Sequence, residues 1–155
     1  LSPKKFWNCA SKAFRKRLCL CIFAVIGCGQ PSFLTSCDDL AVSSVGKAAR
    51  LIYEFRIARR GAIPTDEAQL RDFAASMDSE YRTKLGLDSP DTYLISSRDG
   101  LPLILKLGKV AQPRKASAVV CYEREGLEGV RLVGKIGGDV EAADVARFAE
   151  LVPAP

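Results

Sequence analysis

Two pairs of carboxylates stand close in the sequence: Glu123 with Glu125, and Asp139 with Glu141. Side chains two apart on an extended strand project from the same side, so Glu123 and Glu125 could serve as an acid and a base. Such a pair works only where a pocket drives the two pKa values apart, and nothing around either pair announces one. They read as solvated surface acids. Asp88, Asp91 and Asp99 are the candidate metal ligands, because calcium draws several oxygens from loops of this kind. Their spacing is not that of an EF-hand, and Asp88 or Asp91 would equally cap its own backbone in a turn. No other cofactor is expected. Histidine is absent, which removes histidine-based triads, histidine zinc ligands and the commonest general base. A covalent step would fall to Cys37, Cys121 or a serine activated by lysine, and no catalytic residue is expected among them. In Gly134-Lys135-Ile136-Gly137-Gly138-Asp139 an isoleucine follows the lysine where a phosphate loop needs serine or threonine, so the stretch reads as strand and turn.

The strongest signal in the chain is an address. Lys12, Arg15, Lys16 and Arg17 lead into the apolar Leu18-Cys19-Leu20-Cys21-Ile22-Phe23-Ala24-Val25-Ile26-Gly27-Cys28-Gly29. Twelve residues is too short for a membrane-spanning helix, which needs about 20, and fits a signal h-region of roughly 7 to 15. The Val25-Ile26-Gly27-Cys28 that closes it resembles the lipobox of bacterial lipoproteins. That resemblance implies a signal peptide over residues 1–27, cleavage before Cys28, and a lipid anchor on Cys28, the palmitate-bearing residue. Residues 28–37 would then tether residues 38–155 to the membrane. The resemblance places the protein in the bacterial cell envelope, at the outer membrane or periplasmic face of a Gram-negative cell. Leu1 stands where a translated chain would begin with Met, which suggests a non-AUG start or an upstream truncation.

Division at Cys28 changes what the composition means. The chain carries 23 bases and 18 acids, a net charge of +5. Six of the bases and none of the acids precede Cys28, so 17 bases face 18 acids in the remainder. A net charge of about −1 gives nucleic acid no basic face, and Arg59-Arg60 and Arg114-Lys115 read as helix-end and loop charges. Of six cysteines, three precede Cys28 and one carries lipid. Cys37 and Cys121 remain, and in an oxidising compartment they could bridge a loop of about 85 residues, worth about 4 kcal/mol. The other reading of Cys121 is a small buried hydrophobe.

Residues 38–155 suffice for one core. Leu40, Ala41, Val45, Ala48, Ile52 and Phe55 recur at helical spacing and predict a helix over 38–60, with acids at its start, arginines at its end and Gly61 as its stop. Gly46 should cost that helix about 1 kcal/mol. Thr65 is expected to cap a second helix over 66–84, with a break near Met77. Thr92–Ser96, Leu101–Leu107, Ala118–Glu123 and Val130–Ile136 read as four antiparallel strands joined by short turns, including Arg98-Asp99-Gly100. A last helix is expected over 142–151. The sum is an α+β fold with helices packed on one face of a roughly four-stranded antiparallel sheet.

This order of parts resembles the soluble heads of pilin-like and type II secretion pseudopilin-like proteins. The matching pieces are Tyr53 to Arg60 leading into Gly61-Ala62-Ile63-Pro64, the turn Ser97-Arg98-Asp99-Gly100-Leu101-Pro102, and Val119 to Tyr122 followed by Val130 to Val140. The resemblance implies an assembly or interaction domain, and some pseudopilins bind calcium in a loop of the sheet. Pilins retain a long apolar amino-terminal helix, where this chain has a lipobox. The expected function is therefore a non-enzymatic, lipid-anchored envelope protein with a pilin-like interaction domain that engages an unidentified envelope protein. The alternatives are a lipid-anchored metal- or carboxylate-dependent enzyme and a pilin-like assembly subunit.

Overall fold

The computed structural model describes residues 37–108 and 117–153. The signal, Cys28 and nearly all of the tether lie outside them. The expected first helix is two. α1 spans Cys37–Val42 and α2 spans Ser44–Ala58. Ser43 separates them because its ψ of 159° leaves the helical region. Its hydroxyl donates to Leu40 O at 2.6 Å and accepts from Gly46 N at 3.1 Å, closing one helix while capping the next. Gly46 is not merely a propensity cost. A Cβ there would lie 2.5 Å from Ala41 O and 2.6 Å from Leu40 O, so only glycine lets the two helices meet at this angle.

The second expected helix also divides near Met77, into α3 at Glu67–Ser76 and α4 at Ser79–Lys84. Its cap is Asp66 rather than Thr65: Asp66 Oδ1 accepts from Gln69 N at 2.9 Å, and Thr65 donates its hydroxyl to the same carboxylate. Thr92–Ser96 is not a strand. Asp91–Leu94 forms one helical turn, α5, with Pro90 at its entry and Tyr93 and Leu94 both buried. Only Ile95 bridges, to Pro102.

The sheet is antiparallel, in the order β1 (Ile104–Leu105), β2 (Val119–Tyr122), β3 (Arg131–Lys135) and β4 (Val140–Ala143). The fourth strand replaces the start expected for the last helix. α6 begins only at Val145, capped by Asp144, and ends at Leu151. Between β2 and β3, Leu127 and Val130 exchange both backbone hydrogen bonds across Glu128-Gly129, which sit at φ 52° and 78°. That is the two-residue primed turn whose twist suits a hairpin.

α2 lies on one face of the sheet, burying Val45, Ala48, Ala49 and Ile52 with Val120, Cys121, Leu132 and Ile136. A register shift between Val119 and Cys121 turns both Val120 and Cys121 to that side. Gly134 sits under the helix, where a Cβ would lie 2.5 Å from Cys121 Sγ and 2.9 Å from Ala49 Cβ. The opposite face carries Val119, Val133 and Ala143, covered by Phe148, Leu151 and Val152 of the α6 region. The carboxyl-terminal helix therefore covers the face that the amino-terminal helices leave, and the sheet is the middle of three layers.

Candidate functional site

Glu123 is a buried carboxylate and not a surface acid, being 1% exposed. Its Oε1 accepts the Ser96 hydroxyl at 2.9 Å, and its Oε2 accepts Arg98 Nη1 at 2.9 Å and the Leu132 amide at 2.8 Å. Arg98 extends past it to the carbonyls of Val130 and Leu127. Three donors thus reach the two oxygens, and the burial of the carboxylate is matched by hydrogen bonds from a hydroxyl, a guanidinium and a backbone amide. Glu125 is exposed and lies outside this cluster.

Asp99 belongs to the same junction. Its Oδ1 accepts Leu101 N at 3.0 Å, and its Oδ2 accepts Gly126 N at 2.8 Å and Glu125 N at 3.2 Å. Burial acts to raise its pKa, but those amides prevail and hold the carboxyl below the ordinary carboxylate range. Both oxygens thus face backbone donors, which does not suit a calcium ligand. Asp88 accepts the Thr83 hydroxyl at 2.6 Å, and Asp91 opens α5. Among the described residues no group of three or more His, Cys, Asp or Glu side chains could hold a metal ion, so Asp88, Asp91 and Asp99 are not brought together as ligands.

Asp139 and Glu141 part in the same way. Asp139 is exposed, while Glu141 pairs with Arg147 at 2.6 Å and Lys135 at 2.5 Å, which pull its carboxyl down to about 2. Cys121 is a free, wholly buried thiol whose Sγ donates to Val45 O at 3.6 Å. Burial pushes it up to about 12, which leaves it protonated and inert in the folded protein. The side chain of Cys37 lies outside the described residues.

Among the described residues a groove of about 730 Å³ has the size of a ligand site. It forms where α2 ends and α3 turns back across it. Arg60 N donates to Ile57 O and Gly61 N to Arg56 O, a Schellman closure with Arg60 itself left-handed at φ 53°. The link then runs through the half-buried Ile63 and the buried Pro64 to the Asp66 cap. Phe55 and Phe73 form the floor edge to face, centroids 5.1 Å apart. Arg59 stands over Phe55, its Cζ 5.9 Å from the ring centroid, while Gln69 and Asp72 enter from α3. No local pattern marks this place, since its walls come from two helices and their link.

No family model, curated protein or solved structure matches this chain. The site therefore stands on its own geometry. One spacing of chemical interest is absent from the expectations above: Ser44-Val45-Gly46-Lys47 is a Ser-x-x-Lys at the first turn of α2. Ser44 is buried, 6% exposed, and Lys47 lies across Gly86, where a Cβ would stand 3.1 Å from its Nζ. Both residues are part of the packing around α2, and neither lines the groove.

Proposed function

We propose that this chain is a lipid-anchored, non-enzymatic protein of the bacterial cell envelope, held at Cys28 and presenting residues 38–155 as an interaction domain. The observation that carries the reading is Val25-Ile26-Gly27-Cys28 at the end of an apolar stretch with a basic lead and no acid before it. The state of the carboxylates supports the non-enzymatic part. Glu123, Asp99 and Glu141 are each held by backbone amides or arginines, and a carboxylate so held is a poor general base. The order of helix, short helix and antiparallel sheet supports a likeness to pilin and pseudopilin heads, with assembly into a filament as the further possibility that likeness carries.

Labelled palmitate should enter the wild-type chain and not Cys28→Ser, and the mature mass should begin at Cys28. Label in the variant, or an uncleaved wild-type chain that takes none, overturns the anchor. Cross-linking from the domain surface in intact cells then identifies the partner.

A further inference from the structure

We infer that the groove between α2 and α3 binds a small apolar zwitterion, an amino acid or dipeptide whose ammonium and carboxylate are both free. The floor supplies the apolar half, because Phe55 and Phe73 meet there edge to face and Ile63 lines the groove beside them. Each wall then brings one charge. Arg59, at the carboxyl-terminal cap of α2, stands one turn beyond Phe55, and Asp72 directly precedes Phe73 on α3, so the two charges enter the groove from different helices. Among the described residues neither makes an ion pair or a hydrogen bond, with the other or with any third group, and Arg59 has only the face of Phe55. The acids that open α3 differ in this respect: Asp66 is engaged by Gln69 N and the Thr65 hydroxyl, and Glu67 by Arg71 at 2.6 Å. The lining thus holds one unpaired cation and one unpaired anion, with no surplus of either sign. A simple anion or a simple cation would satisfy one of these groups and be repelled by the other. A zwitterion satisfies both. A guanidinium over an aromatic ring presents its in-plane N–H fork sideways to a carboxylate, while Asp72 accepts an ammonium. Gln69 accepts Thr65 N through Oε1, which leaves its amide N–H₂ as a further donor in the lining. The volume of about 730 Å³ accommodates a dipeptide as well as a single amino acid.

This site does not depend on acylation at Cys28, and the test is correspondingly separate. The full chain is titrated with L-phenylalanine and L-phenylalanyl-L-alanine, and with N-acetyl-L-phenylalanine and L-phenylalaninamide, which keep the ring and carry only the negative or only the positive charge. Two-dimensional NMR follows the Gln69 side-chain amide and the backbone amides of Ile63 and Phe73. At least one zwitterion should shift these saturably, with a dissociation constant in the low-millimolar range that roughly a dozen non-hydrogen atoms can support. It should bind about three- to fivefold more tightly than either singly charged analogue, the effect of one exposed charge contact. The tighter of the two zwitterions tells an amino acid from a dipeptide. Arg59→Gln should weaken the zwitterion and the N-acetyl compound and leave the amide unaffected, whereas Asp72→Asn should weaken the zwitterion and the amide and spare the N-acetyl compound. Absence of a saturable shift, shifts confined to another face, equal binding of a singly charged analogue, or variants that weaken every ligand alike would each overturn the inference. The comparison of the four ligands on the wild-type chain needs neither variant, and unchanged thermal unfolding checks that both are folded.

Discussion

Arg98 and Glu123 are 25 residues apart and meet at 2.9 Å, the carboxylate 1% exposed and the guanidinium side chain 25% exposed. Removal of either partner leaves a different remainder. Glu123→Ala strands the Ser96 hydroxyl and the Leu132 amide and should cost about 3 to 5 kcal/mol. Arg98→Ala leaves a buried carboxylate that still has two donors, and should cost about 2 to 3 kcal/mol. A double-mutant cycle by urea unfolding should return a coupling energy above about 1 kcal/mol. Additive losses would show that the pair is adjacent without being coupled.

The contact beneath α2 predicts a steric result. Gly134→Ala places a methyl 2.5 Å from Cys121 Sγ and 2.9 Å from Ala49 Cβ in a core without slack. It should destabilise by about 1 to 3 kcal/mol. Cys121→Ala in the same chain removes the closer clash, so the two changes together should be less damaging than their sum, measured by thermal unfolding of the four variants.

Among the described residues, two that are not glycine hold left-handed backbone, Arg60 at φ 53° and Glu128 at φ 52°. Arg60→Gly relieves the Schellman closure, and Glu128→Asn converts the hairpin to Asn-Gly, the pair its turn prefers. Each should stabilise by about 0.5 to 1 kcal/mol, and the gains should add because the sites share no partner. A fall in unfolding midpoint for either would contradict the backbone assignment.

Glu141 gives a pH dependence of definite sign. Hydrogen bonds from Arg147 and then Lys135 lower its carboxyl from 4.5 in the unfolded chain to about 2. The folded state therefore binds that proton more weakly than the unfolded state does. Its stabilising effect is full above about pH 4.5 and disappears as pH falls towards 2. Glu141→Gln should cost about 1 kcal/mol at neutral pH, since the carboxylate is a quarter exposed and screened by solvent. In denaturant titrations at fixed pH, the variant should lose less stability than the parent between pH 4.5 and 2.

Much of the architecture was legible because it is written in local periodicity. The helical stripe from Leu40 to Phe55 and the break near Met77 needed no partner to be read. What escaped was set by partners far along the chain. Val140-Glu141-Ala142-Ala143 has the composition of a helix and becomes an edge strand because β3 offers it a ladder. Thr92–Ser96 is rich in strand formers, yet Pro90 and Asp91 open a helical turn that buries Tyr93 and Leu94 together. Glu123 looked like a surface acid because Ser96 and Arg98, which hold it, come from the turn before β1, 27 and 25 residues earlier. The groove at Phe55 and Phe73 was invisible for the same reason, although Arg59 was correctly placed at an exposed helix end.

The two faces of the sheet are covered to unequal depth. α2 buries eight residues, five of them in the first core, whereas α6 is two turns long and contributes no fully buried side chain. The cover over Val119 and Val133 can therefore come away at a small fraction of the free energy needed to open the molecule. Slowly exchanging amides should concentrate in α2 and β3, and those of Phe148 and Val152 should exchange through local opening. Such transient opening bares the aromatic edge of Tyr122, which makes the carboxyl-terminal layer the first point at which a protease or a neighbouring strand gains a hold on the folded domain.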